Sequence, residues 1–299
     1  MMEARFKFDL TEQLVELVKR AATRLPADMQ KALAEAKERE APGSAAEGAL
    51  DTILNNIRLA REHATPICQD TGTPIFEVHY PLGVSTRALT KQIKQAAAVA
   101  TERAYLRPNA VDSLTGENSG DNSGEDFPTI HYHEWEEDHI HIDLLLKGGG
   151  CENVSAQYKL PDARLRGGRD LEGVRRVVLD AVHKAQGKGC APAVLGIAIG
   201  GDRGSSYIKS KQQLFRQLED RNPNEQLAQL EEQLYEEANE LGIGPMGFGG
   251  KTTVLGVKIG ALHRLPASYF VSIAYMCWAN RRASMDVTLA GEKVEVSYA

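Results

Sequence analysis

Ile140, Ile142, Leu144 and Leu146 alternate with His139, His141 and Asp143. That period of two gives a strand with one apolar and one polar face, so the chain must build a sheet and cover one side of it. The run Thr129–Trp135 comes just before, and the two are predicted to pair as a hairpin. The first 63 residues supply covering material at a different period. Leu14, Val15, Leu17 and Val18 mark a helix with Thr11 as N-cap, ended by Pro26, and a charged helix follows over Ala27–Glu40. Leu50, Ile53, Leu54 and Ile57 recur at helical spacing and give a third.

Further along, a strand is expected over Pro74–Tyr80, an Ala-rich helix over Thr86–Leu106 and a loop over 115–126. A helix over Arg175–Gln186, a strand over Ala193–Ile199 and a helix from about Ser206 to Arg221 come next. A Glu/Gln/Leu-rich helix then ends near Leu241 with Gly242 as its cap, and β-prone runs lie at Thr252–Ile259 and Ser268–Met276. The fold class is α+β: N-terminal helices, then mixed helices and largely antiparallel strands. No repeat or linker divides the chain, so 1–299 reads as one domain with a helical part over 1–63.

A formal charge of −6 argues against nucleic-acid binding through bulk positive charge. No apolar run reaches the roughly 20 residues of a membrane helix. The opening MMEARFKFDL lacks the apolar core of a secretory leader, so a soluble, cytoplasmic protein is expected. Cys68, Cys151, Cys190 and Cys277 form no CxxC pair and read as thiols.

Several segments have a chemical and a bland reading. His131, His133, His139 and His141 invite a metal, but a solvated strand face explains them better. GPMGFGGKTT at 244–253 has Pro245 where a P-loop needs its first glycine, and it follows a helix instead of a strand. GGDRGSS at 200–206 follows a strand and opens a helix, so its amides are expected to hold an anion. The acidic helix Glu225–Glu240 reads as a solvated face before it reads as a docking surface. Cysteines at element ends, beside glycine and arginine, suit a cofactor site for a small anionic substrate.

Five motifs in order, CQDTGTPIF at 68–76, NSGDNSG at 118–124, KGGGCENVS at 147–155, LGIGPMGFGGKTTVLGVKI at 241–259 and MCWANRRAS at 276–284, resemble the iron–sulfur class I fumarases and L-tartrate dehydratases. The resemblance runs from about residue 10 to 285 and is to the α subunit of the two-subunit enzymes. It implies a [4Fe–4S] cluster held by Cys68, Cys190 and Cys277, with one iron left open to substrate. It further implies Asp70 as a proton-transfer group, and Gln69, Arg107, Gly149 and Gly150 as substrate contacts. Cys151, commonly Ser in fumarases, is expected to line the pocket, and no role follows for His263.

The implied reaction is reversible hydration of fumarate to malate, with the substrate a small dicarboxylate. The implied partner is a β subunit supplying the general base and further clamps, in a hetero-oligomer of two α and two β chains, with neither nucleic acid nor membrane involved. KGGGCENVS and GGKTTVLG favour fumarase. The alternatives are an L-tartrate dehydratase α subunit, making oxaloacetate from tartrate, and a non-enzymatic iron–sulfur sensor or anion-binding scaffold.

Overall fold

A computed structural model of the chain describes residues 8–290 and 293–299. The MMEARFK that opens the expected leaderless N-terminus lies outside the described residues. In chain order the elements are α1 (Thr11–Thr23), α2 (Ala27–Arg39), α3 (Ala45–His63), β1 (Thr73–Pro81), α4 (Thr86–Glu102), β2 (Thr129–Trp135), β3 (Ile140–Lys147), α5 (Gly149–Asn153) and β4 (Ala156–Lys159). They continue as α6 (Leu171–Ala185), β5 (Ala193–Ile199), α7 (Arg203–Gln212), α8 (Glu225–Glu240), β6 (Val254–Ala261), β7 (Phe270–Met276), β8 (Arg282–Ala290) and β9 (Lys293–Tyr298). Among the described residues, five of the seven strand pairings are antiparallel.

The chain forms two compact units, one of residues 1–26, 56–147 and 281–299, the other of 27–55 and 148–280. The first holds a five-stranded sheet in the order β2-β1-β3-β8-β9. Register pairs Phe76 with Leu144, Val78 with Ile142, and Ile142 in turn with Met285. These side chains form one core with Leu14, Leu17 and Val18 of α1 and Leu89, Ile93 and Ala96 of α4. Burying each large aliphatic side chain contributes about 1.5–3 kcal/mol, which commits this face of the sheet.

The expected hairpin does not form: β1 lies between β2 and β3, parallel to the first and antiparallel to the second. The cause is burial. Ile75 through Val78 are all buried, so β1 takes an interior position where both its edges are paired. The alternation of β3 is as expected, and its polar face carries His141 and Asp143. The start of α1 also differs, since Asp9 Oδ1, not Thr11, accepts the Thr11 amide and hydroxyl there.

The second unit holds a four-stranded sheet in the order β4-β7-β5-β6, with β5 and β6 parallel and the other pairings antiparallel. β5 is buried at every position. α7 and α8 pack on this sheet. α7 begins at Arg203, earlier than expected, because Asp202 caps it with its own carboxylate, and it stops at Gln212, where a short 3-10 turn over Gln213–Phe215 takes over. The short elements α5 and β4, and the strands β8 and β9, carry too weak a pattern for the sequence to reveal.

Candidate functional site

In the first unit, the segment after α3 turns sharply into β1 and carries Cys68, Gln69 and Asp70. Thr71 anchors it. Fully buried, its hydroxyl accepts from the Arg107 amide and from Asn109 Nδ2, both at 3.0 Å. Asn109 in turn donates its amide to Asn122 Oδ1 at 2.7 Å. Asn122, buried and at φ 58°, returns Nδ2 bonds to the Arg107 carbonyl and to Thr101 Oγ1. CQDTG, LRPN and NSGDNSG are thus tied into a single cradle. From it Gln69 and Arg107 project exposed side chains, with Arg107 Nη1 3.4 Å from the Gln69 carbonyl. Asp70 Oδ1 accepts from the Gly72 amide and fixes the turn. The structure therefore brings Gln69, Asp70 and Arg107 onto one support. Thr71, Asn109 and Asn122, which hold that support, escaped the sequence reading, although NSGDNSG had marked the loop.

In the second unit, Cys190 precedes β5 and Cys277 follows β7. These strands are antiparallel neighbours with Val194 opposite Met276, so both thiols lie at one end of the sheet. The Trp278 amide donates to the Cys190 carbonyl at 3.2 Å and ties the two loops together. Cys190 itself has φ 55° and ψ 61°, a left-handed conformation costing a non-glycine residue about 1–2 kcal/mol. The neighbouring Gly189 has no room for a side chain, because a Cβ would stand 2.3 Å from the Tyr275 ring.

Cys151 reaches the same end from α5. It is buried, and its thiol donates to the Gly148 carbonyl at 3.1 Å and contacts the Met276 sulfur at 3.8 Å. Gly149 and Gly150 open α5 and are exposed. The Ser155 hydroxyl bridges the Cys151 carbonyl and the Tyr275 amide. Burial pushes the Tyr275 phenol well above its usual range, and negative charge on Cys277, Cys151 and Cys190 pushes the same way. His263 lies in the loop after β6, at the opposite end of the sheet, where its carbonyl accepts from Gly201.

The chain's own carboxylates fill both glycine-rich loops. Buried Glu40 accepts from the amides of Lys251 and Thr252 at 2.9–3.0 Å, occupying the GGKTT turn. Asp202 accepts from the amides of Gly204 and Ser205, so the expected anion site in GGDRGSS is already taken. Two histidines of the first sheet are likewise paired: His133 with Glu77 at 2.6 Å, and His141 with Asp286 at 2.6 Å and Asp143 at 3.1 Å. Among the described residues, no three His, Cys, Asp or Glu side chains converge as they would on a single metal ion. A multi-iron cluster makes a different demand, since each thiolate binds its own iron. None of the four cysteines is in a disulfide. The half-buried thiols of Cys190 and Cys277, beside an unpartnered phenol, fit such a group.

Residues 11–286 match the family described as Fumarate hydratase (Fumerase). A protein of Geobacillus stearothermophilus with the provisional name fumarate hydratase class I is 51% identical over 93% of this chain, which spans 55% of that protein. A Methanocaldococcus jannaschii protein, provisionally named L(+)-tartrate dehydratase subunit alpha, is 36% identical, with 94% of this chain and 98% of the relative covered. The Escherichia coli K12 L(+)-tartrate dehydratase subunit alpha is 31% identical, with coverages of 93% and 90%. The match along nearly the whole chain shows that it belongs to the class I fumarate hydratase (Fumerase) family of hydro-lyases.

Proposed function

We propose that this chain is the cluster-holding α-type subunit of a cytoplasmic [4Fe–4S] fumarate hydratase, interconverting fumarate and malate together with a β-type partner. The observation that carries the reading is the single hydrogen-bonded cradle under Gln69, Asp70 and Arg107, next in sequence to the first of three proposed cluster ligands. Those ligands are Cys68, Cys190 and Cys277. When bound, the cluster would supply an open iron as Lewis acid for the leaving hydroxyl. Arg107, an exposed guanidinium, binds a substrate carboxylate. Gln69 orients the substrate, and Asp70 holds or moves the proton at its carboxylate. The amides of Gly149 and Gly150 offer donors to a carboxylate of the substrate. The partner adds the general base and further cationic clamps, in an assembly of two α and two β chains.

A second reading, L-tartrate dehydratase α subunit, is favoured by length, because this chain spans 90% or more of the two relatives so named. The test is anaerobic reconstitution with iron and sulfide, iron counting, and turnover of fumarate, malate and L-tartrate with and without the partner chain. About four irons per chain, lost in each of Cys68→Ser, Cys190→Ser and Cys277→Ser, with fumarate turnover only when the partner is added, is the expected result. Preference for tartrate would select the second reading. A cluster without any turnover, indifferent to Arg107→Ala, would leave an iron–sulfur sensor, and a chain that takes up no iron would leave an anion-binding scaffold.

A further inference from the structure

The end of the second sheet holds a side chain that nothing in the fold requires to be polar. Tyr275 is 1% exposed, and its hydroxyl is buried with no hydrogen-bond partner. A buried hydroxyl is ordinarily paired, and one left alone is destabilising, whereas phenylalanine would fill the same space without that penalty. The ring is held firmly. Leu195 lies opposite it on β5, its amide is bonded to Ser155, and Gly189 closes on its edge with no space for a Cβ.

Three cysteines lie close to this residue along the chain or through its neighbours. Cys277 follows two residues later, one position past the end of β7. Cys190 follows Gly189, the residue pressed against the ring. Cys151 is joined to the Tyr275 backbone through the Ser155 hydroxyl. Cysteinate and sulfide sulfurs accept hydrogen bonds, and bonds to such sulfurs are among the determinants of a cluster's potential.

We propose that Tyr275 is a positioning residue for the iron–sulfur cluster, its phenolic hydroxyl donating a hydrogen bond to a sulfur at the Cys190–Cys277 end. The inference rests on the cluster reading given above. The hydrogen bond favours the more negative, reduced cluster and so raises its reduction potential. It also makes the cluster harder to strip, because the hydroxyl regains a partner only when the cluster is bound.

The test is Tyr275→Phe in the full chain, reconstituted anaerobically beside the wild type. The midpoint of the cluster is followed by the electron paramagnetic resonance of its reduced form, with iron content and the thermal melt of both apo chains recorded. The expected result is equal iron, an apo chain at least as stable as wild type, and a lower midpoint. A tenfold change in the oxidised-to-reduced ratio at fixed potential, about 59 mV for a one-electron couple, is the scale expected. Loss of the cluster to a chelator should be several-fold faster in the variant. An unchanged midpoint and loss rate with equal iron would overturn the role of Tyr275 and leave the cluster reading standing. A wild-type chain that takes up no iron would overturn both.

Discussion

The backbone amide of Trp278 donates to the carbonyl of Cys190 at 3.2 Å, so the loops carrying two of the proposed ligands are fastened through main chain, independently of any side chain. The side chains can therefore be changed without undoing the loops. Cys190 also sits at φ 55°, a conformation that glycine adopts freely. Cys190→Gly should abolish iron binding and yet raise apo-chain stability by about 1 kcal/mol through relief of strain, whereas Cys190→Ser should lose iron with no such gain. Iron assay and urea denaturation of the two variants check this. Equal stability of both would show that the backbone there is unstrained.

Cys151 tests the division between ligand and packing. Its thiol is buried against Gly148 and Met276. Cys151→Ala should keep full iron content and lower stability by about 1 kcal/mol, the order expected for losing a small buried group. Iron loss comparable to that in Cys277→Ser would make Cys151 a ligand.

Thr71 holds Arg107 and Asn109 at once. Thr71→Val leaves two donors without their acceptor and should cost about 1–3 kcal/mol. Its kinetic signature should be a raised KM for the dicarboxylate with the iron content unchanged, because Arg107 loses its seat while Cys68 remains. Steady-state kinetics beside iron assay decide it.

The turn at Gly250 and Lys251 is organised around Glu40. Glu40→Ala leaves the half-buried amide of Lys251 and the buried amide of Thr252 without their acceptor and should destabilise the chain by about 3 kcal/mol. Glu40→Gln, which keeps one carbonyl acceptor, should cost less than half of that. Added phosphate or nucleotide should restore neither variant if the turn is purely structural, and calorimetry with each ligand measures this.

His141 lies between Asp143 and Asp286, and hydrogen bonding to Asp143 raises its pKa to about 9 from an ordinary 6.5, against the opposing effect of burial. The protonated form is thus favoured by the fold. Its contribution is complete below pH 6.5 and disappears as pH rises through about 9. A fully dry pair would make that about 3 kcal/mol, but Asp286 is 43% exposed, which reduces it to about 1 kcal/mol. Wild type should lose that stability across this interval and His141→Asn should not, as urea midpoints at each pH would show.

Much of the chain was legible one segment at a time. The stripe in α1, the Ala-rich α4, the alternation of β3 and the uniformly apolar β5 each bury a face whose period is written locally. The five motifs revealed the family, because backbone turns and reactive side chains at fixed spacing are also local. Pairing was not legible. Whether Thr129–Trp135 joins the strand that follows it or one arriving about fifty residues earlier depends on which edges must be buried, and β1, buried at Ile75 through Val78, took the interior position. The vacancy of a glycine-rich turn was equally hidden. GGDRGSS reads as an open anion cradle and Asp202 fills it, while Glu40 fills the GGKTT turn, whose sequence fails the P-loop pattern. The sequence by itself determined which residues can form helices, strands, turns and ligands, since those depend on neighbours a few positions away. Only the tertiary structure decided which strand lies in the middle, which carboxylate occupies which amide turn and which hydroxyl is left without a partner. Those outcomes depend on residues tens to hundreds of positions apart competing to satisfy the same buried polar groups.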